Sequence, residues 1–286
     1  LFAGGLETEW GGVRPILWKG LSLSTIGVLV TGLLVGIFVS WVQGFSFLEG
    51  LLLGAIVSST DAAAIFMMLR SRNANLPKRL TQLLEFESGS NDPMAVMLTI
   101  ALIRLLMEPS TSFGELVAFF VMEMVVGTVL GVAMGEIMRR AFNALDLRVE
   151  GIYLVLSVAL ALLTYGLTTF LHGSGFLAVY LAGLMMQRKP FVHQQNVLRF
   201  HDGLAWLMQV TMFLMLGLQV FPVRLVPVAL VGLLVSLFLI VIARPAAVHL
   251  SLAFSSMPYR EQTLMAWAGL RGSVPIILAT FPQLAG

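Results

Sequence analysis

The 286-residue chain is 58% hydrophobic and only 11% charged, and its mean hydropathy is +0.93. Soluble domains carry roughly a quarter charged residues, so this composition excludes a soluble globular protein and predicts an integral membrane protein. The formal net charge of +2 is too small to indicate a nucleic-acid-binding surface. The absence of cysteine excludes disulfides, thiolate metal sites and cysteine nucleophiles.

Long apolar segments predict an all-α polytopic membrane fold. A helix needs about 20 apolar residues to cross the hydrocarbon core, and about nine segments meet or approach that length. They are longer than the ~10-residue alternating units of a transmembrane barrel, which favours helices. We predict spans at 16–42, 47–69, 83–107, 113–138, 151–171, 174–187, 203–221, 225–250 and 262–280.

The charges that flank these spans indicate their orientation. Of the 17 Lys and Arg residues, Arg104 and Arg224 fall on one side, and Arg244 and Arg271 fall inside spans. The positive-inside rule assigns the opposite side, which holds all the others, to the cytoplasm. These others are Arg14, Lys19, Arg70, Arg72, Lys78, Arg79, Arg139, Arg140, Arg148, Arg188, Lys189, Arg199 and Arg260.

Three ionisable positions are predicted at the same depth in the membrane. Asp61, Asp92 and Arg271 each lie nine to thirteen residues from a cytoplasmic basic residue. At 1.5 Å per helical residue, they lie roughly 13–20 Å into a core of ~30 Å. Charge is costly at this depth, so each of these residues needs a functional or pairing role.

The second span is predicted to be interrupted near Thr60 and Asp61. Ser58, Ser59, Thr60 and Asp61 form a short polar run, and such side chains compete for backbone hydrogen bonds and weaken a helix. An interruption in the membrane frees backbone carbonyls, which are tolerated where they are buried or line a polar cavity and which bind cations well.

The third span carries Glu87, Ser88, Asn91 and Asp92 at helical spacing on one side. Pro93 follows and leaves the carbonyl of the residue four positions earlier without its usual donor. Hard cations prefer hydroxyl, carbonyl and carboxylate oxygens. We therefore predict a monovalent cation site formed by Asp92, Asp61, Thr60 and Ser88, with Asn91 beside it.

A carboxylate buried in lipid needs either a proton or a cation beside it, and this requirement can couple two fluxes. We assign Asp92 as the exchanging group. Arg271 is predicted to balance Glu87 in a structural ion pair. Asp61 taken alone is equally compatible with a capping role. Glu123 is left out of the site, because a functional role and an interface pair, for example with Arg244, fit it equally well.

Enzyme motifs such as H-E-x-x-H, G-x-S-x-G and the phosphate-binding loop are absent from the sequence, which indicates a gradient-driven transporter rather than an enzyme. No cofactor is expected apart from the transported K⁺ or Na⁺ and H⁺. The first hypothesis is a secondary antiporter. A cation channel and a non-transporting sensor or scaffold on the same fold remain as alternatives, although a single off-axis carboxylate is a poor channel filter.

Three motifs resemble those of the monovalent cation:proton antiporter-1 family, most closely its bacterial NhaP-type potassium/proton antiporters. They are GAIVSSTDAAA at 54–64, EFESGSNDPMAV at 85–96 and GLRGSVP at 269–275. The resemblance implies an inverted-repeat fold with a core domain that moves, elevator-like, against a dimerisation domain. It also implies that Asp92 binds the cation or proton, that Thr60, Asp61 and Ser88 line the site, and that Glu87 and Arg271 pair near Asn91.

The resemblance further implies electroneutral exchange, a homodimer and a bacterial inner membrane, with the lipid bilayer as surroundings and no nucleic-acid partner. Residues 1–286 are expected to be an incomplete membrane transport domain that lacks the first helices, the last helix and any cytoplasmic regulatory domain. Relatives often carry an acidic residue in the stretch corresponding to 1–6, where this chain has Ala3. A ligand from that stretch is therefore expected to be missing.

Overall fold

The computed structural model describes residues 1–8, 10–62, 65–66, 69, 76–108, 110, 112–145 and 149–285, and all regular structure in these residues is helical. In chain order the helices are α1 (Phe2–Glu7), α2 (Trp10–Gln43), α3 (Phe47–Ile56), α4 (Lys78–Met107), α5 (Phe113–Ala144), α6 (Glu150–Phe170), α7 (Gly175–Met186), α8 (Gln194–Gln219), α9 (Pro222–Ser251), α10 (Tyr259–Trp267), α11 (Val274–Leu278) and α12 (Phe281–Ala285). Helix α2 contains a π-turn at Leu23–Gly27, and α9 contains one at Leu239–Ala243.

Local sequence explains several helix ends. Ser46 and Glu49 form a capping box at the start of α3, and Ser112 and Glu115 form another at the start of α5. Gly44 follows α2 with a φ of 68°, in the left-handed region that glycine adopts readily. The chain therefore turns sharply between α2 and α3.

Most of the predicted spans coincide with helices. In the part of the chain that the structure describes, α2, α4, α5, α6 and α9 are long and apolar enough to cross a membrane. The short sixth span corresponds to α7, and the seventh overlaps α8, which ends at Gln219. The structure does not confirm the number of about nine spans. Residues 63–64, 67–68 and 70–75 of the second span and its flank, which include Arg70 and Arg72, lie outside the described residues, as does Arg148.

The span predicted at 262–280 is interrupted in the structure. Helix α10 ends at Trp267, the next helix begins at Val274, and the residues between them are not helical. Gly269 and Gly272 weaken a helix there, and Pro275 near the start of α11 has no backbone N–H to donate. Hydropathy detects the apolar character of this segment but not the interruption.

The described chain divides into two compact units. Unit 1 comprises Leu1–Pro15 and Ser112–Gln209, and unit 2 comprises Ile16–Thr111 and Val210–Gly286. In unit 1, α5 and α7 approach closely because Gly131 and Gly135 lie against the backbone of Ala178 and Ala182. The core of unit 1 is built around Phe2, Leu6, Met138, Phe142, Tyr153, Met186 and Phe191.

Unit 2 contains α3, α4, α9, α10 and most of α2. Apolar side chains of α2, α4, α9 and α10 form its main core, which includes Ile16, Leu23, Leu83, Leu84, Val248 and Met265. Helices α2 and α3 pack through glycines, because a Cβ at Gly54 would overlap the carbonyl of Gly32 and a Cβ at Gly50 would overlap that of Gly36. Close backbone contact through small residues is typical of membrane helices.

The α2–α3 contact generates a stability prediction. We expect Gly54→Ala to destabilise the protein by roughly 1–3 kcal/mol, because the added methyl group has no space beside the Gly32 carbonyl. The measurement is the apparent unfolding temperature of the intact protein in detergent. Gly232→Ala in α9 is the matched control, since a Cβ there meets open space. An equal response of the two variants would contradict this packing argument.

Candidate functional site

The first interruption follows α3, in unit 2. The chain is non-helical from Val57 to Asp61, and the Ser58 hydroxyl donates to the carbonyl of Ala55 at 2.6 Å. This local bond occupies a carbonyl at the end of the helix and favours termination. Ser58, Ser59 and Thr60 are all buried, so their backbone groups need partners within the protein. The interruption predicted near Thr60 and Asp61 is therefore present.

Helix α4 supplies partners for this interruption. The Asn91 side chain donates to the Thr60 hydroxyl at 2.5 Å and accepts from the Thr60 backbone N–H at 3.4 Å. The Ser88 hydroxyl donates to the Thr60 carbonyl at 3.0 Å and accepts from the Ala62 N–H at 3.1 Å. Two side chains one helical turn apart thus replace hydrogen bonds that the interrupted helix lacks.

The second interruption, between α10 and α11, contacts the first. The backbone N–H of Asp61 donates to the carbonyl of Leu270 at 2.8 Å. Gly272 lies so close to the carboxylate of Asp61 that a Cβ at this position would overlap it. The two non-helical segments therefore meet at Asp61, and Gly272 leaves the space that the carboxylate occupies.

Asp92 lies beside the first interruption. Its Oδ1 accepts a hydrogen bond from the Ser59 hydroxyl at 2.5 Å, and the residue is half-buried. The carboxylates of Asp92 and Asp61 are close enough to interact electrostatically. Two carboxylates, a hydroxyl and non-helical backbone form an oxygen-rich site of the kind that hard cations prefer.

The predicted ion pair between Glu87 and Arg271 needs correction. Glu87 is almost fully buried and pairs directly with Arg244, whose Nη2 lies 2.7 Å from Glu87 Oε1. Arg244 also donates to the carbonyl of Met265 at 3.4 Å. The side chain of Arg244 reaches this position because Gly269, which has no Cβ, lies against its guanidinium. Arg244 therefore pairs with Glu87 rather than with Glu123.

Arg271 lies near this pair but forms no salt bridge with Glu87 among the described residues. It interacts electrostatically with Glu87 and Arg244, and its Nη1 donates to the carbonyl of Gly269 at 3.3 Å. Its Nε and Nη2 make no hydrogen bond within the described residues. Depth and the family resemblance both predicted that Arg271 would pair with Glu87, but the direct contact is made by Arg244, which belongs to α9.

Sequence reasoning therefore missed two residues, Ser59 and Arg244. Ser59 belongs to the polar run that indicated the interruption, but spacing did not reveal that its hydroxyl reaches Asp92. Arg244 carried a usable signal, because an arginine inside an apolar span requires a partner. The structure brings Thr60, Ser88 and Asn91 together by hydrogen bonds, and it holds Asp61 and Asp92 near them.

Comparisons with known proteins agree with this architecture. The family model described as "Sodium/hydrogen exchanger, transmembrane" matches residues 1–286. The K(+)/H(+) antiporter NhaP of Alkalimonas amylolytica is 44% identical over 286 residues, and the K(+)/H(+) antiporter NhaP2 of Shewanella sp. (strain ANA-3) is 42% identical over 289 residues. Each alignment covers 100% of this chain and 50% of the relative.

Solved structures show the same fold. The sodium proton antiporter MjNhaP1 from Methanocaldococcus jannaschii, at pH 8, superposes with a TM-score of 0.87 at 26% sequence identity, covering 97% of this chain and 69% of that one. The chain belongs to the transmembrane sodium/hydrogen exchanger family, which confirms the resemblance seen in its motifs. It is a multi-pass membrane protein of that family, and it spans about half the length of the curated relatives it matches.

The Glu87–Arg244 contact generates a prediction. Arg244→Gln should lower the free energy of unfolding by about 3–5 kcal/mol, because it leaves the buried Glu87 carboxylate without its direct partner. Arg271→Gln should cost less, since Arg271 donates only to a carbonyl among the described residues. The measurement is the apparent unfolding temperature of the intact protein in detergent.

The double variant Glu87→Gln/Arg244→Gln serves as the control, because it removes both charges of the pair. It should be more stable than Arg244→Gln alone. A larger loss from Arg271→Gln than from Arg244→Gln would restore Arg271 as the main partner of Glu87.

Proposed function

We propose that this chain forms the ion-handling part of a secondary antiporter that exchanges K⁺ or Na⁺ for H⁺. Membership of the sodium/hydrogen exchanger family supports this function, as do the names of the K(+)/H(+) antiporters that are 42–44% identical. The observation that carries the proposal is the pair of interrupted helices that meet at Asp61, with the carboxylate of Asp92 beside them.

Asp92 is the exchanging group in this mechanism. Its carboxylate binds K⁺ or Na⁺ together with Asp61 and oxygens of the segment Ser59–Thr60, or else it binds a proton. An ionised carboxylate without a counter-charge is costly in the membrane, so release of one occupant favours binding of the other. One site that alternates between two occupants gives coupled exchange rather than two independent leaks.

The neighbouring residues hold this site in place. Asn91 and Ser88 fix the interrupted segment through Thr60 and Ala62, so they position the site rather than supply the exchanging charge. The Glu87–Arg244 pair, with Arg271 nearby, anchors the second interruption close to the first. We propose that Thr60 and Ser88 also line the cation path, as their oxygens lie at the interruption.

The proposed setting follows from the charge distribution and the relatives. The bacterial inner membrane fits the bacterial NhaP-type relatives, and the excess of Lys and Arg on one side fits cytoplasmic loops there. Residues 1–286 would belong to a membrane transport domain that works as a homodimer with electroneutral one-for-one exchange. The lipid bilayer is the immediate partner, and no cofactor besides the transported ions is required.

The central prediction concerns Asp92. Asp92→Asn should abolish cation-induced proton movement, because an amide carries no charge to be neutralised alternately by a cation and a proton. The measurement is the dequenching of a pH-sensitive dye on addition of K⁺ or Na⁺ to everted vesicles that contain the intact protein.

Ser90→Ala is the matched control for Asp92→Asn. Ser90 lies two residues away in the same helix, but its hydroxyl donates to the backbone carbonyls of Phe86 and Glu87 and not to the site. It should leave exchange intact. Retained exchange in Asp92→Asn would refute Asp92 as the coupling group, and currents far above carrier turnover without proton movement would favour a channel.

A second prediction tests Asp61 through its neighbour. Gly272→Ala should displace the Asp61 carboxylate, since the added methyl group would occupy its position. If Asp61 contributes to cation binding, the cation concentration for half-maximal exchange should rise roughly tenfold, the equivalent of about 1.4 kcal/mol. Gly232→Ala provides the comparison at an unobstructed helical position. An unchanged cation dependence in a folded Gly272→Ala protein would remove Asp61 from the site.

A further inference from the structure

A cavity with a partly basic lining lies in unit 1. It has a volume of about 250 Å³ and is found where the C-terminal ends of α5 and α7 come together. The residues that line it change from apolar to basic towards the helix ends; they are Val132, Glu136, Arg140, Met185, Arg188 and Lys189. The positive-inside distribution assigns these ends to the cytoplasmic side.

The single carboxylate in this cavity is already neutralised. Glu136 accepts hydrogen bonds from Arg139 at 2.6 and 3.0 Å and from the Nε of Arg140 at 2.7 Å. These bonds hold the Arg140 side chain over the cavity, while most of that side chain remains exposed. Glu136 therefore organises the basic groups and does not cancel the positive charge of the cavity.

Arg188 and Lys189 contribute positive charge on the opposite wall. Neither residue has a carboxylate within ion-pair distance among the residues that the structure describes. The guanidinium of Arg188 lies 5.7 Å from the ring centre of Trp10, an arrangement that favours a fixed orientation of this otherwise flexible side chain. In the part of the chain that the structure describes, Arg188 and Lys189 are thus cations at the cavity without a paired carboxylate.

An apolar surface on α5 leads into this cavity from the membrane. Val121, Val125, Val129 and Val132 are exposed and follow one another at intervals of three or four residues, so they share one face of the helix. Glu136 and Arg140 continue the same face towards the cytoplasmic end. Towards the C-terminal end of α5, this face of the helix therefore changes from apolar to cationic.

We propose that this cavity binds an anionic glycerophospholipid, with the phosphate at Arg140, Arg188 and Lys189 and one acyl chain along the valine face of α5. Basic pockets at the cytoplasmic side of membrane helices suit anionic headgroups. A free inorganic phosphate would use the cations but not the valines, so the continuous apolar surface favours a lipid. This site is independent of the exchange chemistry at Asp92.

The test compares lipids that share acyl chains and differ only in headgroup charge. The intact protein in detergent is titrated with dioleoyl phosphatidylglycerol or dioleoyl phosphatidylcholine, and native mass spectrometry measures the bound fraction. The wild-type protein should bind phosphatidylglycerol preferentially. Arg188→Gln/Lys189→Gln should weaken that binding roughly 25-fold, from about fivefold for each removed charge.

Arg79→Gln/Arg260→Gln is the matched control, because it removes two exposed basic residues from the same side of the membrane outside the cavity. It should leave phosphatidylglycerol binding unchanged. Equal binding of the two lipids to the wild-type protein would overturn the proposal, whether or not the variants fold. So would an equal loss in the control variant, or displacement of the lipid by millimolar inorganic phosphate, which would assign the cavity to a soluble anion.

Discussion

The candidate ion site depends on hydrogen bonds between α4 and a backbone segment that has left its helix. In a membrane, each unpaired backbone N–H or carbonyl is costly, so a helix interruption persists only where other groups satisfy it. Ser88 and Asn91 do so for Thr60 and Ala62, and the carbonyl of Leu270 does so for Asp61. The N–H of Asp61 in the first interruption bonds the carbonyl of Leu270 in the second. Neither segment can therefore become helical without breaking this hydrogen bond.

Charge balance in this region follows from the same arrangement. Glu87 and Arg244 neutralise each other directly, and Gly269 provides the room for Arg244. In the proposed mechanism, the carboxylates of Asp61 and Asp92 are the negative charges that attract the transported ion. The structural pair is thus separate from the two acids of the proposed ion site, although Glu87 and Asp92 both lie on α4.

Glycine has two uses in this protein, and both depend on its missing Cβ. In α2, α3, α5 and α7 it allows backbones to approach closely, which is a main source of cohesion where lipid removes the hydrophobic driving force. At positions 269 and 272 it makes room for charged side chains that enter from other elements. The first use stabilises each unit, and the second shapes the ion site. The basic cavity at the ends of α5 and α7 also relies on the first use, because Gly131 and Gly135 bring its two walls together.

The amino-acid sequence by itself determined the membrane class, most of the helices, the interruption near Thr60 and the family. These features follow from local properties: apolar length, short polar side chains within an apolar run, and contiguous motifs. It also predicts that Asp61, Asp92 and Arg271 lie at one depth, because helical rise converts residue number into distance. Only the tertiary structure decided that Arg244 pairs with Glu87, that Ser59 reaches Asp92 and that the segment around Arg271 is not helical. Those contacts join residues 33 to 157 positions apart, and depth along a helix does not specify which neighbouring helix a side chain meets.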